Sequence, residues 1–130
     1  MLMTYCQRVR VYVEFNVPLW SFSISKSLSN KIEKLQKAAV FLMLPLLGSF
    51  PNSDYSIIEM MGLELLKQRR VTLCHTFARK MYQHPEHKKS FTSYEGRSTR
   101  AGRKVIVPQA RTKRYSNSSI PSLARIINSQ

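Results

Sequence analysis

Apolar residues recur at helical spacing through the first 84 positions and then lose that order. This break constrains the fold more than any single motif, because a sustained 3.6-residue period specifies helices with one buried face. From Leu2 to Phe15 the stripe is Leu2, Tyr5, Cys6, Val9, Tyr12 and Val13. The β-branched Val9, Val11 and Val13 leave a strand open there, and Pro18 is expected to end the element. A second helix starts within Ser25 to Asn30. Asn30 with Glu33 offers a capping box and Ser25 an earlier cap. Ile32, Leu35, Ala39, Leu42 and Leu46 then share a face, and Glu33 precedes Lys37 by one helical turn. Ser53 reads as the N-cap of a short third helix and Gly62 as the residue that stops it. A fourth helix is predicted from about Glu64 to Gln83, with Leu66, Leu73, Cys74, Phe77, Ala78 and Met81 inward. Leu35, Ala39, Leu66, Leu73, Phe77 and Trp20 are expected in one core, with Trp20 as a packing anchor.

The boundary falls at His84–Pro85, since proline disfavours helix in the residue before it. Residues 1–84 read as a helical body and residues 85–130 as a basic, extended tail. A short strand is predicted at Val105 to Val107 and a final helix from Pro121 to about Ile127, with Pro121 in its first position. The expected fold class is therefore mainly α: a small bundle of about four helices with a basic, partly disordered C-terminal tail ending in a short helix. No internal repeat marks a solenoid. The longest apolar run, Val40 to Leu47, is broken by Pro45 and falls short of the roughly 18 residues of a membrane span. No secretory signal forms, because Arg8 and Arg10 interrupt the apolar start. With two cysteines only, an intracellular, reduced setting is expected, nuclear or cytoplasmic.

Charge sets the partner. The 130 residues hold 21 Lys+Arg against 7 Asp+Glu, a net of +14, and the sequence pI is 10.3. Such an excess points to a polyanionic partner, usually nucleic acid or an anionic membrane surface. The reading taken is RNA or DNA held through its phosphates, since phosphate contacts alone give affinity without reading base sequence. The candidate contacts in the tail are Arg97, Arg100, Arg103, Lys104, Arg111, Lys113 and Arg114, with Lys67, Arg69 and Arg70 on the fourth helix as a supplement. Phe91, Tyr94 and Tyr115, interleaved with these charges, are placed either to stack on bases or to dock on the body.

The acids argue against catalysis. Asp54 and the six glutamates, Glu14, Glu33, Glu59, Glu64, Glu86 and Glu95, are dispersed, whereas two-metal polymerase or nuclease chemistry needs clustered carboxylates. Cys74 with His84 and His87 does not reproduce structural zinc spacing, and Cys74 on the apolar stripe reads as a small core residue. A Cys–His nucleophile built from Cys74 and His75, His84 or His87 has no stronger support. There is no Gly-rich phosphate loop, nucleophile elbow or dinucleotide fingerprint. No catalytic residue, metal or cofactor is expected.

Four stretches in order resemble the region that follows the palm in jockey-like non-LTR retrotransposon reverse transcriptases. They are Arg8 to Trp20 (RVRVYVEFNVPLW), Ile32-Glu33-x-Leu35-Gln36-Lys37-x-Ala39, the segment from Gly62 to Lys80 (GLELLKQRRVTLCHTFARK), and Arg111 to Leu123 with the residues up to Asn128. The resemblance runs from about Tyr5 to Asn128. It implies a thumb-like helical region that clamps a template–primer duplex beside a palm domain. The family's catalytic aspartates lie upstream on that palm and have no counterpart here, so the resemblance implies a non-catalytic C-terminal fragment of an RNA-directed DNA polymerase. Its implied partners are RNA or DNA and the missing palm. The sequence departs from the family at Phe41 to Phe50, where Pro45 falls at a helix end. The residues alone leave two other readings: an independent basic nucleic-acid-binding module, or a retroelement remnant without function.

Overall fold

The computed structural model describes residues 2–43, 45, 58, 60–96 and 104–129. It is mainly helical, as the periodicity predicts, and has no regular strand among the described residues. The expected third helix lies largely outside the described residues, as do Asp54, Glu59 and most of Leu44 to Leu47.

The helices, in order, are α1 (Leu2–Thr4), a π-helical turn (Tyr5–Arg10), α2 (Val11–Glu14), α3 (Val17–Trp20), α4 (Lys26–Met43), α5 (Leu66–Gln83), α6 (Pro85–Lys88), α7 (Lys113–Ser116) and α8 (Ser119–Ser129). The first three segments occupy the helix predicted from Leu2 to Phe15, so the strand alternative falls away. Pro18 is not what ends them. The break is at Asn16, whose φ of 51° is left-handed, a region asparagine tolerates better than other non-glycine residues. Pro18 instead sits in the first turn of α3, where its missing N–H is harmless. Ser25, not Asn30, caps α4: the Leu28 amide donates to Ser25 Oγ at 3.2 Å.

Contacts divide the chain into two compact units: residues 1–17 with 24–70, and residues 18–23 with 71–130. The one core expected for the helical body is replaced by one core in each unit. In the first, Tyr5, Val40, Met43, Ile58 and Leu63 are buried together, with Leu2, Cys6 and Ala39 against them. In the second, Ala78, Phe91, Val105, Leu123, Ala124 and Ile127 are buried, and Phe22, Phe77 and Met81 pack on them. Leu66 is buried as predicted, but Leu35 is 60% exposed.

The second core changes the picture of residues 85–130. Phe91, Val105 and the buried face of α8 make this segment part of a packed unit with Ala78 of α5. The strand predicted at Val105 to Val107 is reduced to one antiparallel bridge, Ser93 with Val105. Its outer edge is satisfied by a side chain instead of a strand. Asn128 Oδ1 accepts from the Lys104 and Val105 amides at 2.8 and 3.0 Å, and Asn128 Nδ2 donates to the Val105 carbonyl at 2.9 Å. The final helix starts two residues earlier than predicted, at Ser119, so Pro121 lies third in it; a residue lacking N–H is still tolerated in that turn.

Candidate nucleic-acid interface

The expected phosphate contacts separate by unit. In the first, Arg70 is 3% exposed, and its Nη2 donates to Ser29 Oγ at 2.7 Å and to Glu33 Oε1 at 3.5 Å. A guanidinium held this way cannot reach a phosphate, so Arg70 leaves the candidate set. Arg69 is half-buried and its Nε is paired with Glu14 Oε1. The same carboxylate oxygen accepts from Arg10 Nε at 2.8 Å. Burial works against the Arg10 charge, but the hydrogen bond and Coulomb attraction from Glu14 outweigh it and hold its pKa above the ordinary arginine value. Gln36, 1% exposed, completes this polar set: it accepts from the Leu66 amide and donates to the Glu64 carbonyl, both at 3.1 Å. The Leu66 N–H is one of the orphan donors at the start of α5, so Gln36 acts as its cap. Arg69 and Arg70 thus fasten α5 to α2 and α4. Lys67 alone of this trio is exposed.

The second unit is different. It holds 12 of the chain's 21 Lys and Arg and 2 of its 7 acids, Glu86 and Glu95. Among its described residues no Lys or Arg is within salt-bridge distance of a carboxylate, whereas all three described ion pairs are in the first unit. Lys104, Arg111, Lys113 and Arg114 are exposed as the expected role requires. Arg97, Arg100 and Arg103 lie outside the described residues.

Several cations that sequence reasoning did not include belong to the same unit. Arg79, Lys80, Lys88, Lys89 and Arg125 are all exposed. Lys88 Nζ sits 5.0 Å above the Tyr82 ring, which steadies its long side chain. Arg125 is held at both ends of its fork, donating to the Ser116 carbonyl at 2.9 Å and to Ser116 Oγ at 2.7 Å. A hollow of about 420 Å³ on the exposed side of α5 is lined by Val71, Thr72, His75, Thr76 and Arg79, which brings two hydroxyls, an imidazole and a guanidinium to one surface. The available signal was the helical spacing of residues 72, 75, 76 and 79, which puts them on one face of α5.

The aromatic residues divide as well. Phe91 is buried in the second core, and the Tyr94 ring packs over Gly96, where a Cβ would push the ring aside. Tyr115, on α7 beside Lys113 and Arg114, is 45% exposed and keeps a face for stacking. Cys74 is buried, as expected for a core thiol. His84 and His87 are exposed with ring centroids 4.6 Å apart. Among the described residues no group of three His, Cys, Asp or Glu side chains is placed to hold a metal, and no helix is long and apolar enough to cross a membrane. No family model, curated protein or solved structure matches the chain.

Proposed function

We propose that the chain binds RNA or DNA through the phosphate backbone, without catalysis, and that it is the thumb-like C-terminal piece of a non-LTR retrotransposon reverse transcriptase. The observation that carries the binding reading is the unequal fate of the cations. Carboxylates pair with Arg10, Arg69 and Arg70 of the first unit, while the described lysines and arginines of the second stand exposed without a carboxylate partner. Exposed unpaired cations on a packed unit are placed to neutralise phosphates and release condensed counterions. The parentage rests on the four motifs in order. The interface is Lys104, Arg111, Lys113 and Arg114 with Arg79, Lys88 and Arg125; Lys67, in the first unit, stays in the proposed set as a separate contact. Arg97, Arg100 and Arg103 stay in the proposed set on the sequence argument alone. An intracellular setting and the palm as missing partner belong to the same proposal.

The test is a salt series of binding titrations of the full chain on random-sequence duplex. Replacing Lys104, Arg111, Lys113 and Arg114 together by Gln removes four phosphate contacts. The slope of log K against log salt should then shrink by about 3–4, since each contact contributes about 0.9. Base sequence should matter little. An unchanged slope would overturn the assignment. Deleting everything after His84 is not a clean version of this experiment, because it removes Phe91, Val105, Leu123 and Ile127 from the second core.

A second reading, an independent basic nucleic-acid-binding module, gains support from the second unit having a core of its own. The coding sequence upstream of Met1 separates the two: a palm reading frame, intact or broken, favours the first.

A further inference from the structure

We propose that α4 carries a second, outward docking face and that its occupant is an acidic amphipathic helix of another protein. The helix has two apolar sides. One is covered: Gln36, Val40 and Met43 are buried, with Ile32 and Ala39 at the margin. Leu28, Leu35 and Leu42 lie on the other, 47%, 60% and 80% exposed. A surface helix normally turns charged residues to water, so an exposed leucine row is a feature that needs a partner.

The spacing says what kind. Leu28, Leu35 and Leu42 are seven apart, and Ile32 and Ala39 fall between them at the alternate seam positions, which is the a/d pattern of a coiled coil. The small, exposed Ala38 beside Leu35 and Leu42 leaves holes into which a facing helix inserts its own side chains. A lipid surface or a nucleic acid gains nothing from such holes.

Charge selects among helices. Lys31 is exposed on the border of the leucine row that faces away from the core, and Lys34 is exposed further round the helix on the same side. The one carboxylate on α4, Glu33, is turned to Arg70 at 3.5 Å and does not offset them. A second copy of the chain would set this lysine border against itself, on a molecule already at +14. A partner with Asp or Glu flanking an apolar heptad row is complementary instead. The proposal concerns a different unit from most of the phosphate-binding residues and stands whether or not that binding is found.

The probe is a labelled three-heptad peptide with Ile at a, Leu at d and Glu at e and g, titrated against the full chain by anisotropy. The control has Lys at e and g. The acidic peptide should bind saturably at one site and the control should not. Leu35→Gln should weaken binding at least tenfold with no change in the chain's helicity, because Leu35 is exposed. Lys31→Glu with Lys34→Glu should weaken it by a similar factor. Leu42→Gln, at the most exposed position, replaces Leu35→Gln if that variant fails to fold. Unchanged affinity in the leucine variants would overturn the proposal, since acidic peptide would then be binding the basic surface at large. It would equally be overturned by a dimer in sedimentation equilibrium that Leu35→Gln dissociates, or by partition onto anionic phosphatidylserine vesicles, lost in Leu35→Gln, without peptide binding.

Discussion

Gln36 occupies a position one step off the apolar face that the sequence draws along α4, yet it is among the most deeply buried side chains of the first unit. Its amide is buried because both ends are used, on the Leu66 N–H and the Glu64 carbonyl. Gln36→Leu keeps the volume and strands both backbone groups, so we expect a loss of about 1–3 kcal/mol in urea unfolding. A loss near zero would mean that water replaces the amide at the start of α5. Arg70 gives a second reading of the same region. Arg70→Ala leaves Glu33 short of a partner and should cost on the order of 3 kcal/mol, whereas Arg70→Met combined with Glu33→Leu should cost much less, because a buried pair gains little over apolar side chains of similar size. Tyr5 supplies a pH signature. Burial is the main effect on its phenol and raises its pKa above the ordinary 10.0, with the Arg10 charge pulling the other way. The folded chain therefore keeps the proton longer than the unfolded one. Stability from this group is intact below pH 10.0 and falls as pH rises through the folded-state value. Tyr5→Phe should remove that part of the alkaline decline in the urea midpoint. None of these roles was legible in the sequence. Arg69 and Arg70 look like any solvated helix charges, and only the fold brings Glu14, Ser29 and Glu33 to them.

At the level of elements, helix ends were the most legible features and helix faces the least. Gly62 was expected to stop a helix, and its φ is +64°. The Leu63 amide donates back to the Ile58 carbonyl at 3.0 Å, the six-residue closure of a Schellman turn, and both side chains lie in the first core. A Cβ at Gly62 would meet nothing within 4 Å, so Gly62→Ala isolates the backbone effect. We expect a loss of about 1–2 kcal/mol from forcing alanine into the left-handed region. Local chemistry fixes such a cap, which is why sequence reveals it. Choosing the buried face of α4 requires knowing where its neighbours are. Ile32, Leu35, Ala39 and Leu42 form as good a stripe as Val40 and Met43 do, and the core took only the edge of it. The 93–105 bridge was misread as a strand for a related reason. The other edge of Val105 is satisfied by the side chain of Asn128, 23 residues further on, and no period in the sequence encodes that contact.

For the whole molecule, the boundary at His84–Pro85 describes composition, and the second unit is assembled from both sides of it, joining residues 18–23 and 71–83 to the basic segment. Charge is distributed by unit in a way composition alone does not show. In the first, Glu14 and Glu33 are spent on Arg10, Arg69 and Arg70. In the second, 12 cations stand against 2 acids, around a core that includes Phe91, Val105 and Ile127. Mutual repulsion should therefore weigh on the second unit and little on the first. Raising salt from about 0.05 to 0.5 M shortens the Debye length from roughly 14 Å to 4 Å and screens that repulsion. Hydrogen exchange at 121–127 should slow as salt rises, while exchange at 36–43 stays nearly constant. A polyanion such as heparin should produce the same selective slowing at low salt and lose its effect at high salt, because it binds the folded second unit through the charges that salt screens. Equal slowing in both stretches would show that the repulsion is shared across the chain and that pairing by Glu14 and Glu33 does not protect the first unit.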